Sequence, residues 1–387
     1  MSTLPQSQHV RQAMPATTSH IYLNAGTFGP IPRCVIAAMQ ERMQEEWQEG
    51  RLGIKGFERM AEIYAEARSG VAHLLNANEA EIALTDNTGE GMNIICYGIN
   101  WQKGDEVITT NHEHISGLAP LYQLRDRFGI NMRIADLGPY AEGSASAAIE
   151  PLITPRTRLI ALSHVTWTTG AILDIQAVAR LAHQHNIPVL IDGAQSAGNI
   201  PIDVKALEID FYAIPMQKWL CGPDGTGAIY VRKESLSAIT PTYVGYYSIV
   251  HKEDFIWEFQ PGAQRFEMGG RQTAAIAGQA AVLTWLETVV GYQWLHTRIA
   301  ELNLYAYNTL KTIPNLRILT PQPGTNGILS LTIVGYDDVE IVQRLRNEYN
   351  ILIRNIPGSH ALRISTGFYN REEEIDTLAQ ALTALNK

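Results

Sequence analysis

Across residues 80–231, short apolar runs alternate with longer stretches whose apolar residues recur at helical spacing. The short runs at 81–84, 106–110, 131–135, 159–163, 189–192, 211–214 and 228–231 read as strands. Continuous apolar runs of this length suit strands buried on both faces of a parallel sheet. Between two of them, Ile175, Val178, Ala179 and Ala182 fall on one helical face, with Asp174 placed as the N-cap. Such alternation predicts an α/β fold, a mostly parallel sheet with helices on both sides.

The flanking segments read differently. Residues 1–20 are polar and suit an N-terminal arm or an edge segment, and 21–30 run from a short strand into a Gly-rich turn. Residues 32–75 are helical, with Val35, Met39 and Met43 on one face and Met60, Ile63 and Tyr64 on a second. Residues 232–271 are irregular and aromatic, including Tyr243, Tyr246, Tyr247, Phe255, Trp257 and Phe259; loops this long are usually functional. A strong helical pattern over 272–290 breaks at Gly291 and resumes to about Lys311. It reads as the connection to a small α+β domain: strand 327–333, helix 338–349, strands 351–354 and 362–365, helix 372–385. Asn370 and Glu373 have capping-box spacing ahead of the last helix. The expected division is an arm (1–20), a large domain (21–271), and a connecting helix with a small C-terminal domain (272–387). A chain of 387 residues exceeds what one core usually serves.

Composition narrows the function classes. The formal charge of -9, without a Lys/Arg cluster, argues against a nucleic-acid partner. Cys34, Cys96 and Cys221 are an odd set without paired spacing, which argues against a disulfide framework or a structural zinc site and suits a reducing cytoplasm. No signal-peptide pattern and no run of roughly 20 apolar residues is seen, so no membrane association is expected.

Three features carry chemistry. An apolar run ends at Lys218, and a turn with Gly222, Pro223, Gly225 and Gly227 follows. A lysine between buried strands is rarely idle: burial lowers its pKa and frees the amine as a nucleophile or base. Asp192 closes the run 189–192, at the strand end where open α/β sheets place ligand chemistry. Small and polar residues at 85–93 lead into a helix, a start that suits a phosphate. A lysine, a carboxylate for a ring nitrogen and a phosphate cradle are what pyridoxal 5'-phosphate (PLP) requires. No Gly-x-Gly-x-x-Gly follows a strand and no Walker A sequence occurs, which weakens nucleotide-binding alternatives.

The residues around the lysine, Ile209, Asp210, Phe211, Tyr212, Gln217, Lys218, Gly225 and Gly227, resemble the signature of class V aminotransferase-type PLP enzymes. That group includes the cysteine desulfurases, and nearly the whole chain is similar to its cyanobacterial-type cysteine/cystine C–S lyases. The resemblance implies a fold-type-I homodimer with active sites near the subunit interface. It makes Lys218 the cofactor lysine and the Cα base, and sets Asp192 against the pyridinium nitrogen. Gln195 would bond the phenolic oxygen and His114 would lie on the ring. Thr88, Gly89 and Gln217 would hold the phosphate. Arg363 would bind the substrate carboxylate, Arg354 would reach a second carboxylate or support Arg363, and Ala25 and Gly26 would line the rim. His112 and His114 alternate along the chain, but no third ligand presents itself, so no metal is expected.

The sequence departs from the family in places. Pro215 and Met216 stand where two small residues are usual, and Trp167 where an asparagine often ends the His164-Val165-Thr166 segment. Gly269-Gly270-Arg271 replaces the Gly-Thr that reaches a neighbouring subunit's phosphate. Residues 354–363 hold no cysteine, whereas desulfurases carry their sulfur-accepting cysteine there. The expected reaction is therefore α,β-elimination on cystine or cysteine, giving pyruvate, ammonia and persulfide or sulfide. Its sulfur would feed an acceptor such as an iron–sulfur assembly protein. A desulfurase using Cys221, a selenocysteine lyase, an epimerase and a transaminase share the cofactor and stay open. A scaffold without turnover would need none of Lys218, Asp192 and Arg363.

Overall fold

In the computed structural model, which describes residues 6–252 and 255–385, the central sheet has seven strands. They are β1 (Ile82–Thr85), β2 (Glu106–Thr110), β3 (Asn131–Ala135), β4 (Thr157–Ser163), β5 (Val189–Asp192), β6 (Phe211–Pro215) and β7 (Gly227–Val231). Their spatial order is β3-β2-β4-β5-β6-β7-β1. From β3 to β6 all neighbours are parallel, and β7 runs antiparallel to β6 and β1. An antiparallel neighbour needs no crossover helix, so β6 and β7 are joined by the short loop that carries Lys218.

Helices cover the sheet. Residues 32–75 split into α1 (Arg33–Glu49) and α2 (Ile54–Leu75), because Gly50 and Gly53 take φ of 82° and 104°, values that favour glycine. Next come α3 (Thr88–Gly98), α4 (Ile115–Phe128) and α5 (Ile175–Gln184). Asp174 holds the N-cap position of α5, but its side chain makes no cap bond there. Its carboxylate instead accepts from the Ala145 N–H at 2.7 Å and the Ser146 hydroxyl at 2.5 Å, at the start of the neighbouring helix Ala145–Ile149, whose own N-cap is Ser144. Then α6 (Thr273–Trp285) packs against α1 and α2 and ends in a π-turn, Leu286–Val290. By length and composition Thr273–Val290 could cross a membrane, yet it is 67% buried, so it is a core helix.

After Gly291 comes α7 (Tyr292–Leu310), followed by the second sheet: β8 (Leu316–Ile318), β9 (Ile328–Ile333), β10 (Arg354–Ile356) and β11 (Ala361–Ser365). Its order is β8-β9-β11-β10, all antiparallel. Together with α7, α8 (Asp338–Tyr349) and α9 (Glu372–Leu385) it encloses a separate core that includes Leu302, Leu329, Leu345 and Leu378.

The N-terminal segment is knitted into both parts. Of the expected arm, residues 1–5 lie outside the described residues. The rest forms two short helices, Gln6–Gln12 and Ala16–Ser19, with Val10 and Met14 fully buried in the main core. Arg11 pairs with Glu374 at 2.8 Å. Residues 6–19 are therefore a packed part of the fold. Ile21–Tyr22 pairs in parallel with Ile351–Leu352, and Leu23 lies in the C-terminal core. The irregular stretch 232–271 contains a hairpin, Ile249–His251 against Trp257–Phe259. Tyr243 and Phe255 stand exposed near it.

Candidate active site

The loop around Lys218 is fixed by backbone contacts. The Gly29 N–H donates to the Gln217 carbonyl at 2.8 Å, and a Cβ on Gly29 would stand 2.2 Å from the Lys218 carbonyl. The turn after Leu23 thus lies flat on the lysine's peptide. Met216 is fully buried, and Gly222 gives it room: a Cβ there would stand 2.6 Å from Met216 Cβ. Lys218 is half-buried and lines the cavity. Burial pushes its pKa down to about 8; Asp192 counteracts this, and Arg363 and Arg354 add to it.

Asp192 ends β5 almost fully buried, opposite Ser163 of β4. Its Oδ1 accepts from the Ala194 N–H at 2.9 Å. Gln195 is clamped by its own amide: Nε2 donates to the Gly26 carbonyl, and Oε1 accepts from the Trp219 indole N–H, both at 2.9 Å. These bonds fix which end of the amide is which and leave its second N–H over. Gly26 has to be small here. A Cβ would stand 2.9 Å from both Gln195 Oε1 and Ser365 Oγ. Ala25 is 1% exposed and absent from the cavity wall, its N–H donating to Ser365 O at 3.4 Å.

Asn87 caps α3 by accepting from the Glu90 N–H at 2.9 Å, and Thr88 and Gly89 form the first turn. The Thr88 hydroxyl is buried without a hydrogen-bond partner among the described residues. Buried polar groups are normally paired, so this one asks for an external acceptor beside a helix N-terminus. His114 is the N-cap of α4, its Nδ1 accepting from the Ser116 N–H at 3.2 Å. Burial first, then the Lys218 charge, lowers its pKa, so the neutral imidazole carries its proton on Nε2. The ring meets Trp167 edge-on, 5.1 Å between centroids. His112 Nε2 lies 2.7 Å from the Gly138 carbonyl.

Arg363 on β11 faces Arg354 on β10. Arg363 is 1% exposed. Its Nη1 donates to the Trp167 carbonyl at 2.8 Å and its Nη2 to Thr27 Oγ1 at 3.0 Å, while Nε has no partner among the described residues. Burial, then Arg354, penalises its charge. Arg354 reaches Thr27 Oγ1 at 3.5 Å and lies over the Trp167 ring at 5.8 Å. Two guanidiniums without a carboxylate partner among the described residues make this end of the cavity a receptor for anions.

One cavity of about 440 Å³ joins these groups. Gly26, Thr88, Gly89 and His114 lie on its wall with Asp192, Gln195, Gln217, Lys218, Arg354 and Arg363. Thr27 and Trp167 also line it; sequence reasoning assigned Thr27 nothing and met Trp167 only as a departure from asparagine. Trp219, which orients Gln195, gave no signal beyond its place next to the lysine. None of the cysteines is on the wall. Cys221 is fully buried in a left-handed turn with φ of 57°, its thiol pushed far up by burial. Burial likewise pushes Cys96 up to about 12. A lysine, a buried carboxylate and an unpartnered hydroxyl at a helix start fit PLP.

The family model described as Aminotransferase class-V matches residues 21–378. A probable cysteine desulfurase of Methanothermobacter thermautotrophicus is 29% identical, over 97% of this chain and 97% of its own length. A cysteine desulfurase of Klebsiella pneumoniae subsp. pneumoniae is 31% identical, over 95% of this chain and 93% of its own. Among solved structures, the cystine C–S lyase C-DES in complex with its product cysteine persulfide superposes with a TM-score of 0.91 at 29% identity. That match covers 96% of this chain and 99% of C-DES. A mutant of C-DES with glycine covalently linked to its PLP cofactor gives the same TM-score.

Proposed function

This chain belongs to the class V aminotransferase family, and we propose that within it the chain is a PLP-dependent C–S lyase. It cleaves the Cβ–S bond of cystine or cysteine to give pyruvate, ammonia and a persulfide or sulfide. The observation that carries this reading is the absence of a thiol from the cavity wall. Sulfur leaves with the small product because no cysteine there can take it.

Lys218 would bind the cofactor covalently, Asp192 would hold the ring nitrogen's proton, and Thr88, Gly89 and Gln217 would hold the phosphate. When bound, PLP accepts the electron pair left at the substrate Cα once its proton is gone. Lys218 takes that proton: with a pKa near 8, roughly a tenth of the amine is unprotonated at pH 7, a share far above that of an ordinary lysine. Gln195 presents its remaining N–H to the cofactor's phenolic oxygen, and neutral His114 covers the ring. Arg363 grips the substrate α-carboxylate through its fork. Arg354 receives the second carboxylate that cystine has and cysteine lacks. The Cβ–S bond breaks with its electron pair on sulfur, and water converts the three-carbon fragment to pyruvate and ammonia. A persulfide leaves more readily than a thiolate because its conjugate acid is stronger, so cystine is the better substrate.

The chain acts as a homodimer in this proposal. The exposed Trp47, Leu52, Ile54 and Phe57 supply an apolar face for a second copy. Three free cysteines suit the cytoplasm, where an iron–sulfur assembly protein would accept the sulfur. A second reading, a desulfurase, is favoured by the likeness to the probable cysteine desulfurase of Methanothermobacter thermautotrophicus and the cysteine desulfurase of Klebsiella pneumoniae. Separate incubations with cystine and with cysteine distinguish them. Pyruvate with low-mass persulfide supports the lyase; alanine with sulfur held on the protein would replace that reading with a desulfurase.

A further inference from the structure

The helix start that would receive the cofactor phosphate is flanked by acids. Asp86 and Glu90 bracket Thr88 and Gly89, and the Glu90 carboxylate accepts the Asp86 N–H. A carboxylate in the first turn of a helix is drawn to the same positive end that attracts a phosphate. Two such charges would compete with an incoming anion and repel it.

Arg271 spans both acids. One terminal nitrogen is bonded to the Asp86 carboxylate, and Nη2 donates to Glu90 Oε1 at 2.7 Å. The backbone that carries it is also held. The Arg271 N–H donates to the Tyr64 hydroxyl of α2 at 2.7 Å, and the Gly270 N–H donates to the Tyr246 hydroxyl at 2.8 Å. Only 12% of its side chain is exposed. Asp86 is 55% and Glu90 33% exposed, so the arginine is the fixed member of these pairs. Its Nε has no partner among the described residues.

We propose that Arg271 is a positioning residue for the cofactor phosphate. By occupying Asp86 and Glu90, it leaves the α3 N-terminus free for an external anion. The Arg271 position thereby supports the phosphate site from within its own chain. The inference rests on the PLP reading for the identity of the anion and on the ion pairs for everything else.

The test uses the full chain stripped of cofactor. Affinity for PLP is read by absorbance titration and affinity for inorganic phosphate by calorimetry. The proteins are the wild type, Arg271→Gln, Glu90→Gln and the double variant. Melting curves of the stripped proteins run alongside. The expected result is a loss of affinity on the order of ten-fold for both anions in Arg271→Gln. Adding Glu90→Gln should restore most of it. A variant with wild-type affinity overturns the proposal. So does a double variant as weak as the single one with a parallel fall in melting temperature, since Arg271 would then serve folding alone. If the wild type takes inorganic phosphate but not PLP, the cofactor reading falls, and Arg271 is judged on phosphate.

Discussion

Arg354 and Arg363 occupy opposed positions on β10 and β11, and neither has a carboxylate partner among the described residues. Two cations held side by side in a half-buried cavity are costly until an anion arrives. Arg363→Lys keeps the charge and loses the fork. It should lower kcat/KM for cystine by about a hundred-fold, the scale of a charge-assisted bond. Arg354→Gln should raise KM for cystine about ten-fold and leave cysteine within about two-fold. Steady-state kinetics on both substrates decide this. Equal effects on the two would remove Arg354 from the second carboxylate.

Lys218 gives a pH signature. Its depressed pKa means that labelling of the amine by an acylating reagent, in cofactor-free protein, should rise through a midpoint near pH 8 rather than near the ordinary lysine value of 10.5. Quantitative mass spectrometry of the modified peptide reports it. The linked stability has a definite sign. Between about 8 and 10.5 the unfolded chain holds more protons at this site than the folded one, so the contribution to stability rises with pH there. Below pH 8 the fold carries a penalised ammonium. Lys218→Met should therefore raise the melting temperature of the stripped protein at pH 7 by about a few degrees. The gain should shrink above pH 8, and a gain independent of pH would show that packing is its source.

His114 has two separable roles. His114→Asn keeps a side-chain acceptor for the Ser116 N–H but removes the ring. It should melt close to the wild type while activity falls by about ten-fold or more. His114→Ala loses the cap as well and should cost a further stability of about 1 kcal/mol. Denaturant curves and pyruvate assays together resolve them. Equal stability of the two variants would deny the cap any part.

Cys221 should be dispensable for turnover. Cys221→Ala should keep kcat for pyruvate formation within about two-fold, while lowering stability by about 1–2 kcal/mol for the lost volume in a packed turn. Abolished turnover in a folded Cys221→Ala protein would point to sulfur passing through this thiol.

The sheet and the C-terminal helices were legible because their signals are local. Val189–Asp192 is a continuous apolar run, and Asp338–Tyr349 has an acidic first turn and a regular apolar face. Leu316–Ile318 was not legible: an exposed Arg317 between two half-buried residues is too short a stretch to show a period. Asp174 takes the expected N-cap position of α5, yet its carboxylate bonds the start of the neighbouring helix, because cap chemistry does not say which of two nearby helix starts a side chain serves. At the site, residues belonging to motifs could be placed in advance. Thr27, Trp167 and Arg271 could not, because they act on partners brought close only by the fold. Met216 looked like a misfit before the lysine, and only packing reveals Gly222 as its complement.

The bond from Arg363 to Thr27 closes a loop of 336 positions. The turn that carries Thr27 is laid between the lysine loop and the strand of Arg363. A ribosome therefore releases Lys218 and Asp192 well before the strand of Arg363 exists. The N-terminal turn has to wait for a strand made near the end of synthesis. On the proposed roles, a nascent chain halted before β11 presents a cofactor cradle but no grip on an amino acid, and chemistry waits for that strand.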